Sequence, residues 1–237
     1  MRWFPRFRRS RPEDALPDLR TAWPEQAVPD DPRAAAERFW RRWSEMLPEL
    51  SAALGDREPQ RVEGELAGAV AQVHPDLHVS LERGQRAIYA LVVSGQEDPA
   101  LRPFTDAWRV AAPPEDAIWE YHDSVPPVPD PTGVTVNLGT RSLALADVRV
   151  AAHVDEAGGV VDVAVHHPLL GELGAAARSA MTFLPLDATL GERLAAKRLR
   201  RVETAESEPA DAITLLELRD LVRGLDEERP ESVGGAD

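Results

Sequence analysis

Proline limits what this chain can build more than any other residue. Its fixed φ and missing N–H stop helices and keep it out of central strands. The 21 prolines of the 237 residues are unevenly placed. Five fall at positions 5, 12, 17, 24 and 29, a pair at Pro113 and Pro114 closes one apolar-periodic run, and "DSVPPVPDPTG" at 123–133 holds four more. These clusters divide the chain into a basic, Pro-rich arm over 1–31 expected to be disordered, a lobe over 32–122, a connection over 123–133, a second lobe over 134–226 and a frayed acidic tail over 227–237.

Between the prolines the apolar pattern is readable. "DDPRAAAERFWRRWSEMLPEL" predicts a helix capped by Asp30 or Asp31 with Pro32 in its first turn. Ala36, Phe39, Trp40, Trp43, Met46, Leu47 and Leu50 recur on one face, and Pro48 is expected to kink or end the segment. "RVEGELAGAVAQV" gives a second helical face through Val62, Leu66, Ala69, Val70 and Val73. "LHVSLERGQRAIYALVVSG" alternates as a hairpin turning at "RGQR", followed by a helix over "DPALRPFTDAWRVAAPP" and a short strand "AIWEYH". Past the connection come a strand "VTVNLG" and a hairpin "DVRVAAHVDEAGGVVDVAVHHP" with "DEAGG" at its tip. A helix "LLGELGAAARSA", a strand "MTFLPLD", a short helix from about Ala188, a strand "RLRRVET" and a closing helix "DAITLLELRDLVRGL" follow. The order hairpin, helix, strand at 77–122 thus recurs at 147–187. The expected class is α+β, with two hairpin–helix–strand lobes, each a mainly antiparallel sheet with helices packed on one face.

Charge narrows the partners. Acidic residues number 41 against 27 basic ones, for a net charge of −14, yet residues 1–11 carry five arginines and no acid. The remainder is strongly anionic and repels nucleic-acid phosphates and anionic lipid, so such contacts fall to the arm alone. There, Trp3, Phe4 and Phe7 among Arg6, Arg8 and Arg9 mark a membrane or partner contact. No run reaches the ~18–20 apolar residues of a bilayer span. The opening "MRWFPRFRRSRPED" lacks the apolar core of a signal peptide. With no cysteine, thiolate catalysis and thiolate metal sites are excluded, and a cytoplasmic location is expected.

Few residues carry recognisable chemistry. His74 and His78 flank Pro75 where helix gives way to strand, and His166 and His167 alternate faces, so neither pair matches a helical metal motif. His153 with Asp155 and Asp162 would form a metal site only in the right hairpin register. "HDS" at 122–124 has the residue types of a nucleophilic triad, but as sequence neighbours they point apart. No glycine-rich phosphate loop occurs, Lys197 is the only lysine, and no cofactor is implied. In "MTFLPLDATLGERLAAKRLRRVE", Asp187 and Glu192 are the candidate acid/base pair. Against that, Thr189 to Glu192 matches the S/T-x-x-E capping box, which would give Glu192 a local structural use.

The segments "RFWRRWSE", "LHVSLERG…AIYALVVSG", "FTDAWRVAAPP…WEYH" and "FLPLDATLGE" together resemble an uncharacterised bacterial α+β family over roughly residues 36–222. The resemblance implies a compact two-lobed α+β protein and supplies no activity, cofactor or catalytic residue. The function expected from the residues is a non-enzymatic protein–protein interaction or accessory module acting through the acidic globule. Its rivals are a metal-assisted or carboxylate-based hydrolase using Asp187 and Glu192, and a peripheral membrane protein attached by the arm.

Overall fold

The computed structural model describes residues 28–138 and 141–228; most of the expected arm and tail, 1–27 and 229–237, lies outside them. The fold is α+β, and the described residues divide into two compact units, 28–125 and 126–228.

The first unit opens with helix α1, Pro32–Gly55. Asp31 caps it, its carboxylate accepting from the Arg33 and Ala34 N–H groups, and Pro32 occupies the first turn, where no N–H is required. Pro48 does not end the helix, which runs on for two more turns while the expected stripe from Ala36 to Leu50 faces the core. Helix α2, Gln60–Ala71, follows. Strands β1, His78–Arg83, and β2, Tyr89–Ser94, pair as an antiparallel hairpin that sets Val79 opposite Val93 and Leu81 opposite Leu91. Helix α3, Arg102–Val110, then crosses back so that β3, Trp119–His122, lies parallel to β2. The sheet order is β1-β2-β3. Leu91, Val93, Trp119 and Tyr121 point to the helical side, where α1, α2 and α3 cover them.

Aromatic rings dominate that core. Trp40 and Trp108 lie 4.7 Å apart by ring centroid, Trp43 meets Trp119 edge-on at 4.9 Å, and Trp40 meets Tyr121 at 4.8 Å. The Trp40 indole donates to the Trp108 carbonyl at 2.7 Å, tying α1 to the end of α3. The buried Trp43 and Trp108 indole N–H groups have no acceptor.

The second unit begins with a two-stranded hairpin, β4, Thr135–Leu138, and β5, Arg141–Ala144; β5 has no counterpart in the sequence reading. Strands β6, Arg149–Asp155, and β7, Val160–His166, form the expected long hairpin, with Gly159 at φ 67° in the turn. Helices α4, Ala175–Leu190, and α5, Glu192–Arg198, lead to β8, Leu199–Thr204, which pairs parallel to β7. Helix α6, Leu215–Glu228, closes the unit. Val150, Val161, Val163 and Val165 pack against Met181, Leu186, Leu218 and Val222 on one side of the sheet.

Two expectations fail in this unit. "MTFLPLD" is not a strand but the middle of α4, so the second hairpin–helix–strand runs from 149 to 204 and not from 147 to 187. Met181, Thr182, Leu184, Pro185 and Leu186 are all buried and only Phe183 among 181–186 is exposed, so the segment carries no clear period to separate helix from strand. Pro185 forfeits one helical N–H, and the Thr182 and Thr189 hydroxyls donate back to the carbonyls of Arg178 and Pro185. Thr189 therefore sits inside α4 and caps nothing. Gly191, at φ 74°, breaks the helix and precedes α5 without a side-chain cap. The capping box lies instead at Thr214 and Glu217: the Thr214 N–H donates to the Glu217 carboxylate at 2.7 Å and the Glu217 N–H returns to the Thr214 hydroxyl at 3.3 Å.

The two indoles Trp40 and Trp43 provide a check on the first core. Trp43→Ala is expected to cost ~3–5 kcal/mol in urea unfolding. Trp43→Phe should cost less than Trp40→Phe, because only the latter leaves a buried carbonyl, that of Trp108, without its donor. Equal losses for the two Phe variants would contradict this account.

Candidate functional site

The polar groups that the folds bring together fall into three clusters. The first forms around β3. Alternation in "WEYH" sends Trp119 and Tyr121 to the core and leaves Glu120 and His122 on the other side of the sheet. Glu120 is nevertheless only 1% exposed. Its two oxygens accept the backbone N–H groups of Gln85 at 2.8 Å, Arg86 at 2.8 Å and Ala87 at 3.0 Å, and the His122 ring lies 3.0 Å away. Arg86 stands 3.8 Å from the same carboxylate and pairs with Glu115 at 2.7 Å, which also receives Arg109 at 2.9 Å. One carboxylate thus holds the whole β1–β2 turn. The same turn requires Gly84, where an added Cβ would collide with the Ala87 carbonyl oxygen.

Burial alone pushes the Glu120 carboxyl up, but the donors around it, led by the Gln85 N–H and His122, hold it down at about 2. A carboxylate so fully engaged by donors is a clamp; it holds no proton near neutral pH and has little tendency to take one. His122 has the orientation that a carboxylate gives a general base, but the Ser124 hydroxyl donates to Asp123 at 3.4 Å and not to His122. The residue types of "HDS" do not make a relay.

The second cluster lies on the outer face of the β6–β7–β8 sheet. The hairpin register sets His153 directly opposite Asp162, with Asp155 two residues along, so the three candidate ligands share one face of the sheet. A bulge between Val161 and Asp162 admits Arg200 as an extra residue on β8. Its guanidinium bridges both carboxylates, at 2.7 Å to Asp162 and 2.8 Å to Asp155. The Arg200 hydrogen bonds hold Asp162 below the usual carboxylate range, and the Gly158 N–H does the same for Asp155. Among the described residues no three His, Asp or Glu side chains are arranged to hold a metal ion.

The third is the junction of α4, α6 and the Pro-rich connection. Arg219 is 7% exposed, and its guanidinium donates to three carbonyls: Thr189 at 2.7 Å, Pro129 at 2.8 Å and Val128 at 2.6 Å. The Val128 N–H completes the junction by donating to the Ala188 carbonyl at 2.8 Å. Prolines lack N–H groups but keep their carbonyls, which lets a fixed cation anchor the connection. Burial lowers the Arg219 pKa from its ordinary value.

Asp187 and Glu192, the candidate catalytic pair, lie on different helices either side of the Gly191 break. The Asp187 backbone carbonyl accepts the Gly191 N–H at 2.9 Å. Glu192 opens α5, where an acid suits the helix N-terminus. His166 and His167 make separate bonds, to the Ala205 carbonyl and from the Leu169 N–H. Trp3, Phe4, Arg6, Phe7, Arg8 and Arg9 lie outside the described residues. No helix among the described residues is long and apolar enough to cross a membrane.

Sequence reasoning missed Glu120, Arg200 and Arg219. Only Glu120 left a trace, as an acid flanked by Trp119 and Tyr121 in an otherwise apolar strand. No family model, curated protein or solved structure matches the chain.

The Glu120 clamp sets a pH dependence. With its folded pKa depressed to about 2 from an ordinary 4.5, the clamp contributes fully above about pH 4.5 and is lost as pH falls toward 2. Its contribution at neutral pH is on the order of 3 kcal/mol. Glu120→Gln should destabilise by about that amount in urea unfolding near pH 7, and the gap to the parent should narrow as the pH drops through 4 and 3. A gap that stays constant down to about pH 3 would assign the loss to packing and not to the charge.

Proposed function

We propose that this chain is a non-enzymatic interaction module that binds a basic protein partner through its acidic surface. The observation that supports it best is the closure of the buried Glu120 clamp, whose carboxylate is taken up by donors of its own fold. Arg219 and the Arg200 bridge follow the same rule, each serving backbone or side-chain partners within its own unit. What these networks leave over is surface charge, with 41 acidic residues against 27 basic ones. An acidic surface steers a basic partner over a range set by salt and disfavours nucleic acid. The absence of cysteine accords with a cytoplasmic setting.

The test is affinity capture with the full chain at two ionic strengths. A recurrent basic partner should co-purify in stoichiometric amount near ~0.05 M salt and leave near ~1 M, where the Debye length falls to ~3 Å. Recovery of no recurrent partner, or of one indifferent to salt, would overturn the proposal.

A further inference from the structure

Helix α6 runs past the β6–β7 turn and leaves a groove of about 480 Å³ between them. Val154, Leu221 and Leu225 form its apolar floor, all of them half-buried residues at the margin of the second core. Leu221 and Leu225 are four apart on one face of α6, and Gly224 between them leaves the groove open. A Cβ at Gly224 would meet nothing within 4 Å. Glu156 from the turn and Asp220 from the helix stand at the rim; both are exposed, and neither makes an ion pair with another described residue.

An apolar floor under an acidic rim fits a ligand that combines apolar anchors with cations. This chain carries such a segment. Residues 1–11, "MRWFPRFRRSR", place Trp3, Phe4 and Phe7 among five arginines with no acid, against a net −19 for the rest of the chain. The 16 residues from Pro12 to Ala27 link that segment to Val28. At ~3.3–3.6 Å per residue they reach up to about 55 Å.

We propose that the groove between α6 and the β6–β7 turn is the docking site of this chain's own segment Met1–Arg11. Apolar side chains of the segment cover Leu221 and Leu225, and its arginines face Glu156 and Asp220. Any outside basic ligand of this groove must first displace the arm, which makes the arm a built-in competitor. The inference holds whether or not an outside partner exists, so it stands or falls separately from the function proposed above.

Hydrogen exchange on the full chain tests it. The parent should protect the Asp220–Leu225 stretch of α6, and the triple variant Trp3→Ser/Phe4→Ser/Phe7→Ser should exchange there about 5–10-fold faster. A synthetic peptide of residues 1–12 added to that variant should restore protection. Gly224→Phe fills the groove without altering charge and, with circular dichroism showing an intact fold, should refuse the peptide. Unchanged exchange in the triple variant, or peptide binding that Gly224→Phe leaves intact, would overturn the proposal. Cross-links from the arm to α6 in a mixture of heavy and light copies should form within one copy; links between copies would assign the groove to a second molecule and also overturn it.

Discussion

A three-stranded sheet cannot hide its own apolar face, and both units of this protein are organised around that constraint. Each places its most apolar strand, β2 or β7, in the centre and lays helices over one side. Each then adds its third strand parallel to the central one, which demands a crossover connection and not a tight turn. The crossover is made by α3 in the first unit and by α4 with α5 in the second, so the connecting helices are also part of the cover. The units share this plan while filling the core differently: aromatic rings in the first, aliphatic side chains in the second.

Electrostatics repeats that economy at a smaller scale. Glu120 gathers three N–H groups of one turn, and Arg219 supplies three carbonyls around a proline-rich segment. In both, a charged side chain serves backbone groups that no ladder or helix can reach. A charge held in that way is excellent at fixing a loop and poor at moving a proton, which is why the first and third clusters read as joints.

The parts that were legible in sequence are those where a single face is buried. Helix α1 announced itself through a 3- and 4-residue stripe and an Asp-Pro start, and the β6–β7 hairpin through strict alternation around glycine. Segment 181–187 did not, because burial at five of the six positions 181–186 leaves no clear period and its proline argued against the helix that contains it. The capping rule was sound but attached to the wrong threonine: Thr189 and Thr214 both stand three residues before a glutamate, and only the fold distinguishes them. The register that joins His153 to Asp162 was within reach of pattern reasoning. The Arg200 that bridges Asp162 and Asp155 was not, since it arrives from 38 residues away through a bulge.

The aromatic character of the first core has an optical consequence. Both tyrosines and all the tryptophans from residue 28 onward lie at or before Tyr121, and residues 126–237 contain neither type. The second unit is therefore nearly transparent at the wavelengths that excite indole and phenol. Fluorescence follows the first unit and the arm that bears Trp3 and Trp23, while far-ultraviolet circular dichroism sums both units. The difference between the two signals separates the unfolding of one half of the chain from the other without any label.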